Sequence, residues 1–305
     1  MGSIRLDSYK YKSTISFSNT LPLFFVSLQY KLTMAQKKIG IYGVQESTAN
    51  NKVEDLYLVV DEQSICFVVK NHTNGQIISF EYFENTPDQN GWNQLLGYLQ
   101  NNSKLIQSFY RQVQFVMNTK KSLLTKSVMN GADTFYQNEF KLIFGMEMEE
   151  EVQTQSIEHG QVIVYSVPDA LSTLVTRAFP TGKWTNYIGT LIQSIQEDGV
   201  YISLFEAYFI LLIMQDGKTH FVNYFLKGGA DQNNYQVLNA CTQSNTEPNT
   251  CNLHVTGYNA ERDHWIQALS SYFANAHMQH APDTGIGATL NSEYPNHSYA
   301  PYFIF

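Results

Sequence analysis

The chain has 305 residues, of which 43% are apolar, 14% aromatic and 15% charged. That supplies core material for one large domain or two lobes and excludes a disordered, highly solvated protein. A net charge of −8 and a pI near 5.5 offer no basic stripe to replace counterions on phosphate, so nucleic acid is not an expected partner.

The N-terminal residues 1–53 read as a weakly ordered extension. Leu21-Pro22-Leu23-Phe24-Phe25-Val26-Ser27-Leu28 is the most apolar stretch there, well short of the roughly 18 residues a spanning helix needs, so no integral membrane segment is expected. No small-x-small cleavage site follows it, and Met34 opens a more conventional start. Residues 1–33 are expected to lie outside the fold, and 35–53, polar with Gly40 and Gly43, to form a loop.

A first lobe is expected over 54–167. Leu56–Val60 and Ser64–Val69 are β-branched and aromatic runs with the pattern of a hairpin. Asn74-Gly75 signals a two-residue turn into a third strand over 76–83. A helix over 91–107 carries Trp92, Leu95, Leu96 and Leu99 at helical spacing, followed by a strand over 113–117. Further on come a helix near 134–143, the acidic run Glu147 to Glu151 read as a solvated loop, and a strand over 161–166.

A second lobe is expected over 168–280. Helices run from Pro168 to Arg177 and over 185–196, then strands over 200–204 and 207–214. Asp216-Gly217 turns into a strand over 218–225. A helix from Asp231 to near Ser244, a strand at Leu253-His254-Val255 and a helix over 260–273 complete it. Residues 281–305 form a tail ending Tyr299 to Phe305, whose aromatics are expected to dock on their own chain.

The two halves echo each other. Asn74-Gly75-Gln76-Ile77-Ile78-Ser79-Phe80-Glu81-Tyr82-Phe83 returns 142 residues later as Asp216-Gly217-Lys218-Thr219-His220-Phe221-Val222-Asn223-Tyr224-Phe225. Asp88-Gln89-Asn90 then recurs as Asp231-Gln232-Asn233. Each half reads β-β-β-α-β, the mark of an internal duplication.

This order resembles the actin, sugar kinase and heat-shock-protein ATPase superfamily, whose lobes have ribonuclease-H-like topology. More narrowly, residues 54–276 are similar to an uncharacterised Bacteroidetes domain-of-unknown-function family. The similarity runs through Val164-Tyr165-Ser166-Val167-Pro168, Phe179-Pro180, Gly217 to Phe225, the Asp231 helix and Gly257. The resemblance implies an α/β protein of two duplicated ribonuclease-H-like lobes and no assigned activity. It extends to actin-like cytoplasmic subunits of pilus and secretion machinery, which implies a protein partner.

In superfamily members that hydrolyse ATP, glycine-bearing turns between the first two strands of each lobe cradle phosphate, and an Asp holds hydrated magnesium. Here those turns are Val60-Asp61-Glu62-Gln63-Ser64 and Leu204-Phe205-Glu206-Ala207-Tyr208, without glycine. Asp61 stands where a metal carboxylate would, and also fits a polar hairpin tip; Phe205 takes up space a phosphate needs. Gly257 lies where the superfamily has glycine beside adenosine, but Tyr258 follows it. Asp61 and Glu206 do not make a two-metal nuclease set.

His254, His264, His277 and His280 cluster late in the chain, with His277 and His280 read as tail. Cys66 reads as a buried thiol, while Cys241 and Cys251 flank a polar loop and leave pairing open. No CxxC or HExxH spacing occurs. The expectation is a cytoplasmic, non-catalytic, pseudo-ATPase scaffold or adaptor with no catalytic, cofactor-binding or metal residues and no cofactor. The alternative is an atypical ATPase or kinase of the same superfamily.

Overall fold

A computed structural model describes residues 36–43, 54–62, 64–84, 91–127, 132–145, 150–257, 259–279, 286 and 299–305. The apolar segment 21–28 and the boundary at Met34 lie outside these residues.

Three β-branched and aromatic runs, β2 (Glu54–Val60), β3 (Ser64–Asn71) and β4 (Ile77–Glu84), pair antiparallel in sequence order. Helix α1 (Gly91–Asn102) crosses over to β5 (Gln112–Met117), which lies parallel to β2. The second copy repeats this with β10 (Gly199–Leu204), β11 (Tyr208–Gln215), β12 (Lys218–Leu226), α5 (Ala230–Gln243) and β13 (Asn252–Gly257).

Each sheet then gains one more parallel strand. In the second copy α6 (Asn259–Leu269) leads to β14 (Asn275–Met278) beside β13. In the first, α3 (Asp169–Ala178) leads to β9 (Lys183–Asn186) beside β5. The resulting orders, β4-β3-β2-β5-β9 and β12-β11-β10-β13-β14, are the same. The first sheet therefore runs past the boundary expected at residues 167 and 168, because its closing crossover uses α3 and β9.

Between β5 and α3 lies a three-stranded sheet, β6 (Ser122–Lys126), β8 (Gln161–Pro168) and β7 (Glu150–Ile157), with α2 (Ala132–Phe144) against it. Tyr136, Phe140, Val162 and Val164 form its own small core. The acidic run is not all loop: Glu150 and Glu151 start β7, and Lys121 pairs with Glu150 at 2.7 Å.

Residues 36–42, expected to be loop, form β1 (Gln36–Tyr42), antiparallel to β4 at the edge of the first sheet. Lys37 and Lys38 masked the alternation of Ile39 and Ile41, and both lysines have partners, Glu81 at 2.6 Å and Glu84 at 2.9 Å. The Asn74-Gly75 hairpin also differs from expectation. Asn71 Oδ1 accepts from the N–H of Thr73 and Asn74, so the chain leaves β3 early. Gly75 then takes a left-handed φ of 71° before Asn71 N–H bonds Gln76 O. The tight two-residue turn occurs only in the second copy, where Asp216 and Gly217 both have positive φ.

One face of the first sheet packs Leu58, Ile65 and Phe67 against Leu95 and Leu99 of α1 and Leu171 and Val175 of α3. One face of the second packs Phe209, Leu211 and Ile213 with Val237, Trp265 and Leu269 of α5 and α6. The remaining faces share an apolar core with α4 (Tyr187–Ser194), and the C-terminal residues 299–305 are built into it. Asn186 caps α4 by accepting the Ile188 N–H at 2.8 Å.

Candidate functional site between the two hairpin tips

The β2–β3 and β10–β11 turns are the two that the resemblance to the actin superfamily singled out in the sequence as expected phosphate positions. At the first tip Asp61 is buried, and its carboxylate accepts from Ser64 N–H at 2.5 Å and Ser64 Oγ at 2.9 Å. Asp61 N–H in turn donates to Ser64 O at 3.0 Å. These bonds close a hairpin by the Asx mechanism, spending on the turn the oxygens that would face a hydrated ion. Beside it Glu62 pairs with Lys120 at 3.0 Å.

At the second tip Phe205 is buried and stacks on Tyr208 with centroids 4.8 Å apart. Its edge contacts are Tyr187 at 5.5 Å and Tyr302 at 5.8 Å. Tyr302 comes from the C-terminal segment and reaches the first tip, its hydroxyl 3.3 Å from Ser64 Oγ. The ring also meets Tyr82 at 5.6 Å. One tyrosine thus bridges both tips.

The flanking tail residues are equally engaged. Tyr187 Oη donates to Pro301 O at 2.7 Å, Lys70 Nζ to Phe305 O at 2.6 Å, and Phe305 stacks on Tyr57 at 4.2 Å. Phe303 meets Phe80 edge-on at 5.0 Å. Asn118, buried, joins the wall by donating to Tyr208 Oη and accepting from Tyr224 Oη.

Burial pushes the hydroxyls of Tyr82, Tyr187, Tyr208, Tyr224 and Tyr302 up, and the nearby Asp61 carboxylate adds to all five. They are neutral at physiological pH. The space between the tips is therefore occupied by neutral tyrosine rings and Phe205 beside the buried Asp61 side chain.

Gly257 is explained by packing. Its φ is 112°, and a Cβ there would lie 2.2 Å from Leu204 O. A cavity of about 390 Å³ lies on the same inner face, between Tyr201, His254 and Thr256 of the second sheet and Phe303 and Ile304 of the tail. Neither hairpin tip lines it.

His277, expected in the tail, stands in β14, and its ring lies 5.6 Å from His254, which in turn stacks on Tyr201 at 4.5 Å. Parallel register places these three rings side by side. His264 is on α6, and His280 lies outside the described residues. Among the described residues no three His, Cys, Asp or Glu side chains gather as a metal site. Cys66, Cys241 and Cys251 are all free thiols, so Cys241 and Cys251 are not paired. No described helix is long and apolar enough to cross a membrane.

Residues 45–276 match the model of a family described as a protein of unknown function, DUF3822. The chain belongs to the DUF3822 family. Among solved structures, a Bacteroides thetaiotaomicron protein of unknown function with an actin-like ATPase fold superposes with a TM-score of 0.67 at 16% identity, over 79% of this chain and 96% of that one. A PilM–PilN type IV pilus biogenesis complex gives a TM-score of 0.50 at 11% identity, over 83% and 98%. No curated protein matches the chain. This DUF3822 member is an α/β protein of actin-like fold built from an internal duplication.

The sequence marked Phe205 and the tail aromatics, and the structure brings them together. What it did not mark is Tyr302 as their meeting point. One tyrosine among several aromatics in a Pro- and Ser-rich tail has no periodicity to give its position away.

Proposed function

We propose that this chain is a non-catalytic scaffold or adaptor of actin-like fold that binds another protein. The observation that carries the reading is Tyr302 seated between the two hairpin tips, against Ser64 on one side and Phe205 on the other. A phosphate cradle needs free backbone donors and room; here the first turn is closed on Asp61 and the second is filled by a ring. The chain is read as having no catalytic residues, no cofactor and no nucleic-acid partner, and as acting in the cytoplasm, where its three free thiols stay reduced. Two lobes meeting near residue 187, after β9, are its working units. The fold shared with a PilM–PilN complex supports a role within a protein assembly.

A second reading, an atypical ATPase or kinase, draws on Asp61, a carboxylate held at the tip where the superfamily places a metal ligand. The two separate in one experiment. The full chain is used to capture its partner from native cells, and the complex is challenged with magnesium and ATP while phosphate release is followed. A scaffold keeps its partner and releases no phosphate. Turnover, or partner release driven by nucleotide, overturns the scaffold reading in favour of the enzyme.

A further inference from the structure

The duplication places two equivalent edge strands in one chain, and they are covered differently. Tyr82-Phe83 of β4 corresponds to Tyr224-Phe225 of β12, so Glu81 matches Asn223 and Glu84 matches Leu226. In the first sheet β1 pairs with β4 at six positions and closes that edge. In the second sheet no described strand lies beyond β12. Exposure follows: five of eight residues of β4 are buried, against one of nine in β12. Leu226 is 62% exposed at the end of the strand.

The backbone of β12 presents hydrogen-bonding groups on that side. Lys227 N–H donates to Ala207 O, and Phe225 and Asn223 face Phe209 and Leu211. Antiparallel alternation then turns the N–H and C=O of Val222, Tyr224 and Leu226 outward. The Tyr224 N–H bears this out, since it is exposed and donates to the side chain of Asn223 at 2.8 Å rather than to a neighbouring strand. From Phe221 to Leu226 the register has no bulge. A long, regular, open edge is a template for another strand.

Charge distinguishes the strand that fits. On β4 the acids Glu81 and Glu84 are answered by the lysines of β1. On β12 those positions are Asn223 and Leu226, and the exposed cation Lys218 and the exposed His220, a hydrogen-bonding imidazole, precede them. A lysine-bearing strand like β1 is therefore mismatched, whereas an apolar side chain opposite Leu226 and a carboxylate near Lys218 and His220 are matched.

We propose that the outer edge of β12 is a docking surface for an extended segment of another protein, which adds an antiparallel strand of alternating apolar residues carrying a carboxylate. This deepens the scaffold reading and rests on it, but nucleotide titration tests that reading without reference to the edge. The probe is a phage-displayed library of random peptides of about ten residues, the upper length of an ordinary strand, selected against the full chain. The enriched peptides are expected to alternate apolar residues with at least one acid, and to slow amide exchange at Val222 and Leu226. Val222→Pro removes an outward N–H without touching the β11 ladder, and Leu226→Lys charges the edge with little effect on folding. Val222→Pro is expected to weaken peptide binding by about tenfold, the upper value of one net hydrogen bond, and Leu226→Lys to weaken it by replacing the apolar contact at 226 with a charge. The proposal is overturned by peptides that protect other amides, by binding indifferent to both substitutions, or by strong protection of these amides in the free monomer, which means the chain covers the edge itself. Protection that rises with protein concentration without peptide also overturns it, in favour of a second copy.

Discussion

Ser64 and Tyr302 stand 238 residues apart in the chain, and their hydroxyl oxygens lie 3.3 Å apart in the structure. The contact joins the first hairpin tip to the tail, and the ring that makes it also touches Phe205 at the second tip. Tyr302→Ala removes a buried ring that meets Tyr82 and Phe205 and is expected to cost about 3–5 kcal/mol. Tyr302→Phe keeps the ring and loses only the hydroxyl, at about 1 kcal/mol. Urea unfolding of the two variants checks this; equal, small losses would mean that the tail is not seated between the tips.

Glu81 is the second long-range anchor. Its buried carboxylate takes Lys37 Nζ at 2.6 Å, Ser103 Oγ at 2.5 Å, Lys104 N–H at 3.0 Å and the Tyr42 hydroxyl. Glu81→Ala strands these donors, and breaking such a buried pair costs on the order of 3 kcal/mol. Amide exchange should then rise first in β1, which this carboxylate ties to β4. Unchanged exchange over residues 36–42 would contradict that role.

The same carboxylate shows why some elements were legible in the sequence and others were not. The strands around the two hairpins, α2, β8 and α5 have long, periodic apolar patterns, and local reading finds them. β1 looks like loop because Lys37 and Lys38 break its pattern, and only Glu81 and Glu84, more than 40 residues away, make those lysines admissible. α1 ends at Asn102 rather than 107 because Ser103 bonds Glu81 and accepts from the N–H groups of Leu105 and Ile106, which starts a separate turn. β9 and β14, four residues each, are too short to show a period; they exist because a parallel neighbour is waiting. At the site, Phe205 was legible as an obstacle because its type alone excludes a glycine turn. Tyr302 was not, since its place depends on where the tail is carried.

Thiol reactivity offers an independent check on burial. Burial pushes the Cys66 thiol well up, and burial together with Cys251 pushes Cys241 up to about 12. Cys251 alone is partly exposed. A chromogenic disulfide reagent should label one thiol rapidly in the native protein and three after denaturation. Rapid labelling of two or more in the native state would contradict the packing of β3 and α5.

His254 gives the fold a pH dependence. Burial, and then the neighbouring His277, lower its pKa below the ordinary imidazole value, with Glu197 opposing them in part. The unfolded chain therefore binds the proton more readily. Stability is complete above about pH 6.5 and falls as the pH drops below it. The thermal midpoint should decrease between about pH 7.5 and 5.5, and His254→Phe should flatten that decrease. A midpoint that rises on acidification would reverse the assigned sign.

The central claim is that neutral tyrosines and Phe205 fill the space between the hairpin tips. Calorimetric titration of the full chain with ATP in the presence of magnesium tests it most directly. The predicted result is no heat of binding at micromolar to high-micromolar nucleotide; saturable binding with micromolar affinity would contradict it.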